Sequence, residues 1–138
     1  MNVKPLIPTL LLAIAFTGQA AEKPKKIPPS AYTLLYERLL PMAEHGHVGA
    51  QHSISLLFDY GKGVKRDRKQ AAHWLEKAAM QGDTDAQADL GDRYLQGDGV
   101  VKDCLTAYGW YWRAAQRGHF RAALSSMLLE QRLTSCLD

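Results

Sequence analysis

A 36-residue internal repeat that runs without gaps constrains this chain more than any other feature. Glycine and alanine each recur three times at this interval, at Gly46, Gly82 and Gly118 and at Ala50, Ala86 and Ala122. Many further pairs are identical between the two complete units, including Trp74 with Trp110. A repeat of this length is typical of stacked supersecondary units, because one unit alone cannot bury its apolar face. The repeat therefore predicts a stack rather than a single globular core.

Each unit has the pattern of two helices joined by a glycine loop. Ala86, Leu90 and Tyr94 recur every four residues, which predicts an amphipathic first helix. Two glycines in the loop at 97–100 permit positive φ angles, so the chain can leave this helix and reverse. Asp103 follows as the N-cap of a second helix, in which small residues surround a tryptophan. We expect antiparallel helix pairs that pack closely around that tryptophan.

Three motifs carry a resemblance to a known repeat family. They are Ala-x-x-x-Leu-Gly-x-x-Tyr at 86–94, Gly-x-Gly-Val-x-x-Asp at 97–103 and Ala-x-x-Trp-Tyr-x-x-Ala-Ala-x-x-Gly at 107–118. Together they resemble the Sel-one-like repeat, a relative of the tetratricopeptide repeat. The resemblance implies an all-α fold, a short right-handed α-solenoid of antiparallel helix pairs with about two and a half repeats. It also implies a concave surface that binds protein partners.

The first 20 residues have the composition of a secretory signal peptide. Lys4 precedes an apolar run at 6–16, and small residues at 18–20 fit cleavage after Ala20. The run is too short to span a bilayer core, which takes about 20 residues, and no cysteine near the cleavage site could carry a lipid. We expect a periplasmic or secreted protein with no membrane anchor after cleavage. A buried N-terminal helix is the alternative interpretation.

The remaining chain divides into a leader and a repeat domain. Prolines and lysines dominate the segment before Ser30, so we expect a flexible leader at 21–30. The repeat domain at 31–138 is predicted to contain a partial repeat helix, two repeats and a partial capping repeat, at 31–45, 46–81, 82–117 and 118–138. Pro41 lies inside the predicted helix at 31–45, where we expect a kink or a break into two short pieces.

The charge balance excludes one class of partner. The chain has 17 Lys and Arg against 14 Asp and Glu, for a net charge of +3. Such a small, scattered surplus cannot build a surface that follows a phosphate backbone, so nucleic acid is not an expected partner. Four carboxylates cluster near one helix start, where they would steer a basic partner or only add solubility: Asp83, Asp85, Asp89 and Asp92.

The chain contains two cysteines, Cys104 and Cys136. Cys104 opens the second helix of the last complete unit, and Cys136 lies just beyond the terminal helix. Both are 16 residues from the expected turn near residue 120, so they should lie side by side between antiparallel helices. We predict a disulfide, which export permits. The alternative is two unpaired buried thiols.

The sequence gives little support to catalysis or to metal binding. It contains no Ser-x-x-Lys, Gly-x-Ser-x-Gly, His-Glu-x-x-His or Cys-x-x-Cys motif. His45, His47 and His52 are close in sequence, but the first two lie at a repeat junction, where polar residues are usual. The loop glycines follow helices, which favours connectors over phosphate-binding loops. We expect no catalytic residue, no metal and no cofactor.

A binding surface remains as the candidate functional site. If Ile54, Phe58, Leu90 and Tyr94 face the core, residues one turn around each first helix line the concave side. The predicted groove residues are His52, Leu56, Asp59, Tyr60, Ala88, Asp92, Leu95, Gln96, Arg121, Leu124 and Leu128. Their apolar members would form a strip for a protein contact. For Leu124 and Leu128 the alternative is that they close the core.

We therefore expect an exported module that binds a protein partner in its concave groove. Proteins that the chain resembles act in bacterial envelopes as adaptors, or as immunity proteins that block an envelope-acting toxin. The alternative is a periplasmic hydrolase directed at the cell wall or at β-lactams. The missing nucleophile motif counts against that alternative.

Overall fold

The computed structural model describes residues 30–136, and all regular structure in this range is helical. Its elements are α1 (Ala31–Glu44), α2 (Val48–Tyr60), α3 (Arg68–Met80), α4 (Thr84–Gln96), α5 (Cys104–Gln116), α6 (Phe120–Glu130) and α7 (Leu133–Cys136). Each helix from α1 to α5 packs against the next one along the chain. The predicted all-α stack of helix pairs is confirmed. The predicted signal peptide and the leader up to residue 29 lie outside the described residues.

We refer to α2, α4 and α6 as first helices and to α1, α3 and α5 as second helices. In the described part of the chain, two complete units lie between two half-units, α1 and α6. Gly61 and Gly97 end first helices with φ angles of 61° and 74°, a left-handed conformation that favours glycine. Asp67 and Asp103 each begin a second helix by accepting hydrogen bonds from two backbone N–H groups.

Three apolar clusters form the core, and each one joins a second helix to the unit that follows it. Ile54 and Leu90 hold the same position in α2 and α4, and both are fully buried. Gly91 lets Tyr111 approach α4, because a Cβ at Gly91 would lie 2.6 Å from the ring atom Cε1 of Tyr111. Burial of one leucine or isoleucine side chain stabilises the fold by about 1.5–3 kcal/mol. These junctions therefore hold the stack together.

The second glycine of each loop lies against the beginning of the preceding second helix. A Cβ at Gly63 would lie 2.4 Å from the backbone carbon of Tyr32, and a Cβ at Gly99 would lie 2.1 Å from the backbone oxygen of Arg68. Both glycines also have positive φ angles. A larger residue at either position would therefore displace the loop from the unit before it.

A disulfide holds the C-terminal half-unit at the corresponding place. Cys136 is bonded to Cys104, the first residue of α5, with 6.1 Å between the two Cα atoms. Cys104 lies 36 residues after Arg68, and Cys136 lies 36 residues after Val100 in the preceding loop. The predicted pairing is thus present in the structure, where a covalent bond takes the place of the glycine contact.

Pro41 does not break α1, so of the two outcomes expected there, a kink or a break into two short pieces, the break is wrong. The helix runs from Ala31 to Glu44 through the proline. Proline has no N–H group, so the carbonyl of Glu37 loses its helical partner. Glu37 and Pro41 are both exposed, and water can hydrogen-bond that carbonyl, which explains why the helix continues.

Candidate functional site

The first helices α2, α4 and α6 lie side by side and form one surface, which we name the first-helix face. Ion pairs bridge α2 to α4 and α4 to α6 across it. All 11 predicted groove residues lie on these three helices. Ten of them are at least partly exposed, and one is buried.

Large apolar side chains are exposed on the two outer helices of this face. Leu56 and Tyr60 on α2 are 41% and 68% exposed, and Leu124 and Leu128 on α6 are 47% and 62% exposed. Leu95 on α4 is only partly exposed, because it packs against a core cluster. The predicted apolar strip is therefore divided into two patches. The exposure of Leu124 and Leu128 also shows that they do not close the core of the described chain.

Ala88 does not line the groove, and its assignment as a groove residue was wrong. It is fully buried, in a core cluster with Ala107, Ala114 and Tyr111 of α5. The repeat in the sequence shows which positions of the units correspond. It does not show which of these positions point toward the core and which toward solvent. His52 holds the same position in α2 and is partly exposed, so equivalent positions differ in burial from one unit to the next.

An ion-pair network crosses the first-helix face from α2 to α6. His52 Nδ1 lies 3.3 Å from Asp83 Oδ2, and His52 Nε2 lies 3.8 Å from Asp89 Oδ2. Arg121 contacts Asp89 at 2.7 Å and Asp92 at 2.5 Å. The acidic cluster that was expected to steer a basic partner or add solubility is therefore paired with cations of this chain.

These contacts shift the pKa values of the groups involved. Asp89, together with Asp83, raises the pKa of His52 above its ordinary value, although burial opposes the shift. Burial acts to raise the pKa of Asp89, but His52 and Arg121 outweigh it, and the pKa is lowered. Burial also raises the pKa of Tyr111, whose hydroxyl donates a 2.5 Å hydrogen bond to Asp92. The network thus favours a charged His52 beside an ionised Asp89.

Arg93 is a residue of this face that the sequence reasoning missed. Its guanidinium pairs with Asp59 on α2 and with Asp98 in the following loop, and its side chain is 8% exposed. Asp98 also pairs with Arg68 at 2.5 Å. Arg93 holds the repeat position of the buried Leu57, and a charged residue at a core position signals a buried ion pair. Asp59, a predicted groove residue, is therefore engaged within the chain.

A cavity of about 510 Å³ opens between α4, α6 and the C-terminal turn. Three predicted groove residues line it, namely Asp92, Leu95 and Leu128. The sequence reasoning did not assign the other lining residues to the groove: Tyr111, Ser125, Leu129, Arg132 and Cys136. A second cavity of about 270 Å³ at the end of α2 is lined by Asp59, Tyr60, Arg66 and Arg68. The first cavity has mainly apolar walls, which suit an aliphatic or aromatic side chain of a partner.

Within residues 30–136, no group of three or more His, Cys, Asp or Glu side chains is arranged to hold a metal ion. His45 Nδ1 lies 2.6 Å from the carbonyl oxygen of Pro41, whereas His52 faces the carboxylate of Asp83. No helix in this same part of the chain is long and apolar enough to cross a membrane.

The stacked helix pairs and the exposed first-helix face define an α-solenoid repeat protein, a class in which neighbouring units present one continuous binding surface. The sequence profile of the Sel1 repeat matches residues 48–83 and 84–119, more than half of the chain. The chain belongs to the Sel1 repeat family, which confirms the resemblance seen in its motifs. Repeats of this family are non-catalytic scaffolds that mediate protein–protein interactions.

Curated relatives share the repeat over a small part of their own length. Protein sel-1 homolog 2 of Homo sapiens is 33% identical over 81 residues, which is 59% of this chain and 11% of the relative. Chitin synthase regulatory factor 3 of Schizosaccharomyces pombe is 39% identical over 72 residues, 52% of this chain and 8% of the relative. A third relative, the ERAD-associated E3 ubiquitin-protein ligase component HRD3A of Arabidopsis thaliana, is 34% identical over 58 residues, 41% of this chain and 9% of the relative. The chain thus spans about a tenth of these relatives.

Two solved structures have the same fold. The Sel1 repeat protein from Oxalobacter formigenes is 40% identical with a TM-score of 0.63, over 66% of this chain and 26% of that chain. A protective antigen present in uropathogenic Escherichia coli strains, which displays an SLR fold, is 34% identical with a TM-score of 0.66, over 70% of this chain and 21% of that chain. Both comparisons support the α-solenoid assignment.

Proposed function

We propose that this protein is an exported module of the cell envelope that binds a protein partner on its first-helix face. The observation that carries the proposal is the exposure of apolar side chains on that face, Leu56 and Tyr60 on α2 and Leu128 on α6. Burial of such side chains drives protein association. The cavity beside Leu128 offers a place for a side chain of the partner.

Within this proposal, an adaptor is the first role and an immunity protein against an envelope-acting toxin is the second. The names of two relatives support the first role, because each is named for its association with an enzyme. One is a regulatory factor of chitin synthase, and the other is a component of a ubiquitin-protein ligase. The identity of the bound partner distinguishes the two roles.

The binding face is tested by the double variant Leu56→Asp with Leu128→Asp. Tagged protein is cross-linked in an envelope extract of the source organism, and captured proteins are quantified by mass spectrometry. We expect a specific partner whose capture falls at least about tenfold in the double variant, the effect of losing 1.4 kcal/mol. Met80→Asp is the matched control, since Met80 is 72% exposed on a second helix. Undiminished capture by the double variant, with unchanged helical circular dichroism, would place the binding face elsewhere.

Export is tested separately from binding. We expect the mature protein to begin at Ala21 and to be recovered from the periplasm or the medium, as read by N-terminal mass spectrometry after fractionation. An intact N-terminus in the cytoplasmic fraction would overturn the export proposal and leave the binding face untouched.

Enzymatic turnover provides a third test. Purified protein is incubated with peptidoglycan and with a chromogenic β-lactam, and we expect no product above the buffer background. Product that forms in proportion to the protein concentration would replace the binding proposal with a hydrolase.

A further inference from the structure

We propose that this protein assembles head to tail, with α1 of one copy packed onto α6 of the next copy. The two half-units would then complete one repeat unit between them. This interface includes Leu124 but not Leu56, Tyr60 or Leu128, the residues of the first-helix face on which the partner site rests. The proposal rests on which repeat positions of the two end helices are exposed and on the charges that they carry.

The helix α1 has the repeat position of a second helix, but one of its sides is exposed. Leu35 and Met42 on this side are 42% and 40% exposed. The same positions in α3 and α5 are fully buried alanines, namely Ala71, Ala78, Ala107 and Ala114. A shallow cavity of about 450 Å³ lies along this side, lined by Ala31, Leu34, Leu35 and Arg38. In a complete unit, the first helix of the same unit packs here.

The helix α6 exposes the complementary side of a first helix. Leu124 and Met127 are 47% and 60% exposed. The same positions in α4 are Ala88 and Gly91, and α5 covers both of them. Ala88 is fully buried, and a Cβ at Gly91 would collide with the ring of Tyr111. Within the described residues, α6 therefore exposes the side on which a second helix packs.

These two sets of positions contact each other inside a complete unit. Ala88 of α4 lies in one apolar cluster with Ala107 of α5. The corresponding residues of the end helices are Leu124 and Leu35, which are larger. A junction between two copies would therefore be an apolar contact between more widely spaced helices, toward the upper part of the range of about 8–10 Å seen for packed helices.

Charge complementarity points to a second copy as the occupant. Tyr94 packs against the apolar cluster that contains Trp110. The corresponding residues of α1 and α6 are Arg38 and Glu130, and both are exposed. A head-to-tail contact would bring this arginine and this glutamate together at the place where the interior has two aromatic rings. Opposite charges attract there, whereas two copies of α1 would bring arginines together.

The proposed contact joins different surfaces, so it does not close on itself. A head-to-tail dimer still has one free α1 and one free α6, so assembly continues beyond the dimer. We expect the average mass in solution to rise with concentration past that of two chains. Analytical ultracentrifugation of protein expressed from the full coding sequence measures this, with the N-terminus read by mass spectrometry.

Two single variants each remove one end. Leu35→Asp disables α1, and Met127→Asp disables α6, while neither residue belongs to the predicted groove. We expect each variant alone to have the mass of one chain, and an equimolar mixture to form a dimer and nothing larger. Val101→Asp is the matched control, since Val101 is 86% exposed in a loop, and it should associate like the unchanged protein.

Charge exchange tests the proposed Arg38 and Glu130 contact. Arg38→Glu alone and Glu130→Arg alone should each weaken association, and the double variant should restore it. A restored double variant supports the head-to-tail pairing, and failure of the exchange to restore association argues against it.

Three results would overturn the assembly proposal without affecting partner capture on the first-helix face. The first is the mass of a single chain at every concentration up to about 1 mM. The second is a symmetric dimer of Met127→Asp alone, which would indicate contact between two α1 helices. The third is association by Leu35→Asp alone.

Discussion

The interior of the stack and its two ends use the same repeat positions differently. Position 35 in α1 corresponds to positions 71 and 107 in the later second helices, yet Leu35 is exposed whereas Ala71 and Ala107 are fully buried. Interior positions are small because a helix of the same unit lies against them. At the ends of the described chain, the same positions carry larger side chains. The size of an interior residue at this position thus reflects packing against the other helix of its own unit. An end residue has no such helix in the described chain, so its side chain is available for contact with another molecule.

The two ends also differ from each other. The C-terminal end is joined to α5 by the disulfide between Cys104 and Cys136. At the N-terminal end, α1 is held by the apolar cluster around Ala43 and by a 3.4 Å hydrogen bond from the hydroxyl of Thr33 to the carbonyl of Gly63. A disulfide also restricts the unfolded chain, which noncovalent contacts do not. We therefore expect α1 to separate from the stack more readily than the C-terminal turn.

The largest expected change in the free energy of unfolding comes from an interior residue, and an end residue at the same repeat position gives the comparison. Trp110 is 8% exposed, and Trp110→Ala should lower the free energy of unfolding by about 3–5 kcal/mol. Arg38 holds the corresponding position in α1, and Arg38→Ala should change it by no more than about 0.5 kcal/mol. Urea unfolding of dilute protein measures both. Equal effects would show that the end helix is packed as tightly as the interior.

The second largest expected loss of stability concerns the C-terminal end, which the disulfide joins to α5. Replacement of Cys104 and Cys136 together by serine should lower the free energy of unfolding by about 3–4 kcal/mol, from a loop of roughly 33 residues. Reduction of the unchanged protein should reproduce the loss, and hydrogen exchange should then speed up first in α6. If reduction leaves the unfolding midpoint unchanged, the disulfide does not stabilise this end.

A smaller effect separates two glycines within the interior. Gly91→Ala places a Cβ 2.6 Å from Tyr111 and should cost about 1–3 kcal/mol through displacement of the ring. Gly109→Ala is the matched control, because a Cβ there meets nothing within 4 Å. In a helix interior this control should stabilise by about 0.5–1 kcal/mol. Stabilisation by Gly91→Ala would mean that α4 and α5 do not pack through this glycine.

The smallest effect depends on pH and concerns the network on the first-helix face. The pKa of His52 is raised in the folded protein, so its contribution is complete below the unfolded value of about 6.5 and is lost as the pH rises through the folded value. His52→Gln should therefore destabilise more at pH 5.5 than at pH 9, by less than about 1 kcal/mol. His47→Gln is the control variant, because it removes an exposed histidine and shows how far such a substitution alone changes the stability. A larger loss at pH 9 would contradict the contacts to Asp83 and Asp89.

The repeat made most of the fold predictable, because the same helix, loop and cap residues recur in one register. Asp103 as a cap and Gly97 as a helix end follow from local chemistry alone, and both occur as expected. The break that was one of the two outcomes expected at Pro41 does not occur, because a proline on an exposed helix surface costs less than one at a buried position. The local rule did not specify which side of the helix faces water.

The candidate site was less predictable, because its contacts join neighbouring units. Ala88 and His52 share one repeat position, but the small Ala88 is buried in a cluster with α5, whereas the larger His52 reaches Asp83 and Asp89 and stays partly exposed. The Asp59 to Arg93 contact has partners 34 residues apart, close to one repeat. Opposite charges separated by about one repeat were visible in the sequence, and they are the signal by which this pair could have been found.

The contacts of the loop glycines with the preceding second helices bear on the order in which the units can fold. Gly63 docks on Tyr32 and Gly99 docks on Arg68, so a loop from the following unit covers the beginning of α1 and of α3. A chain that emerges from its N-terminus can thus add one layer at a time, with every new layer settling on finished structure. The disulfide between Cys104 and Cys136 then forms last, because Cys136 ends α7, the last helix of the described chain.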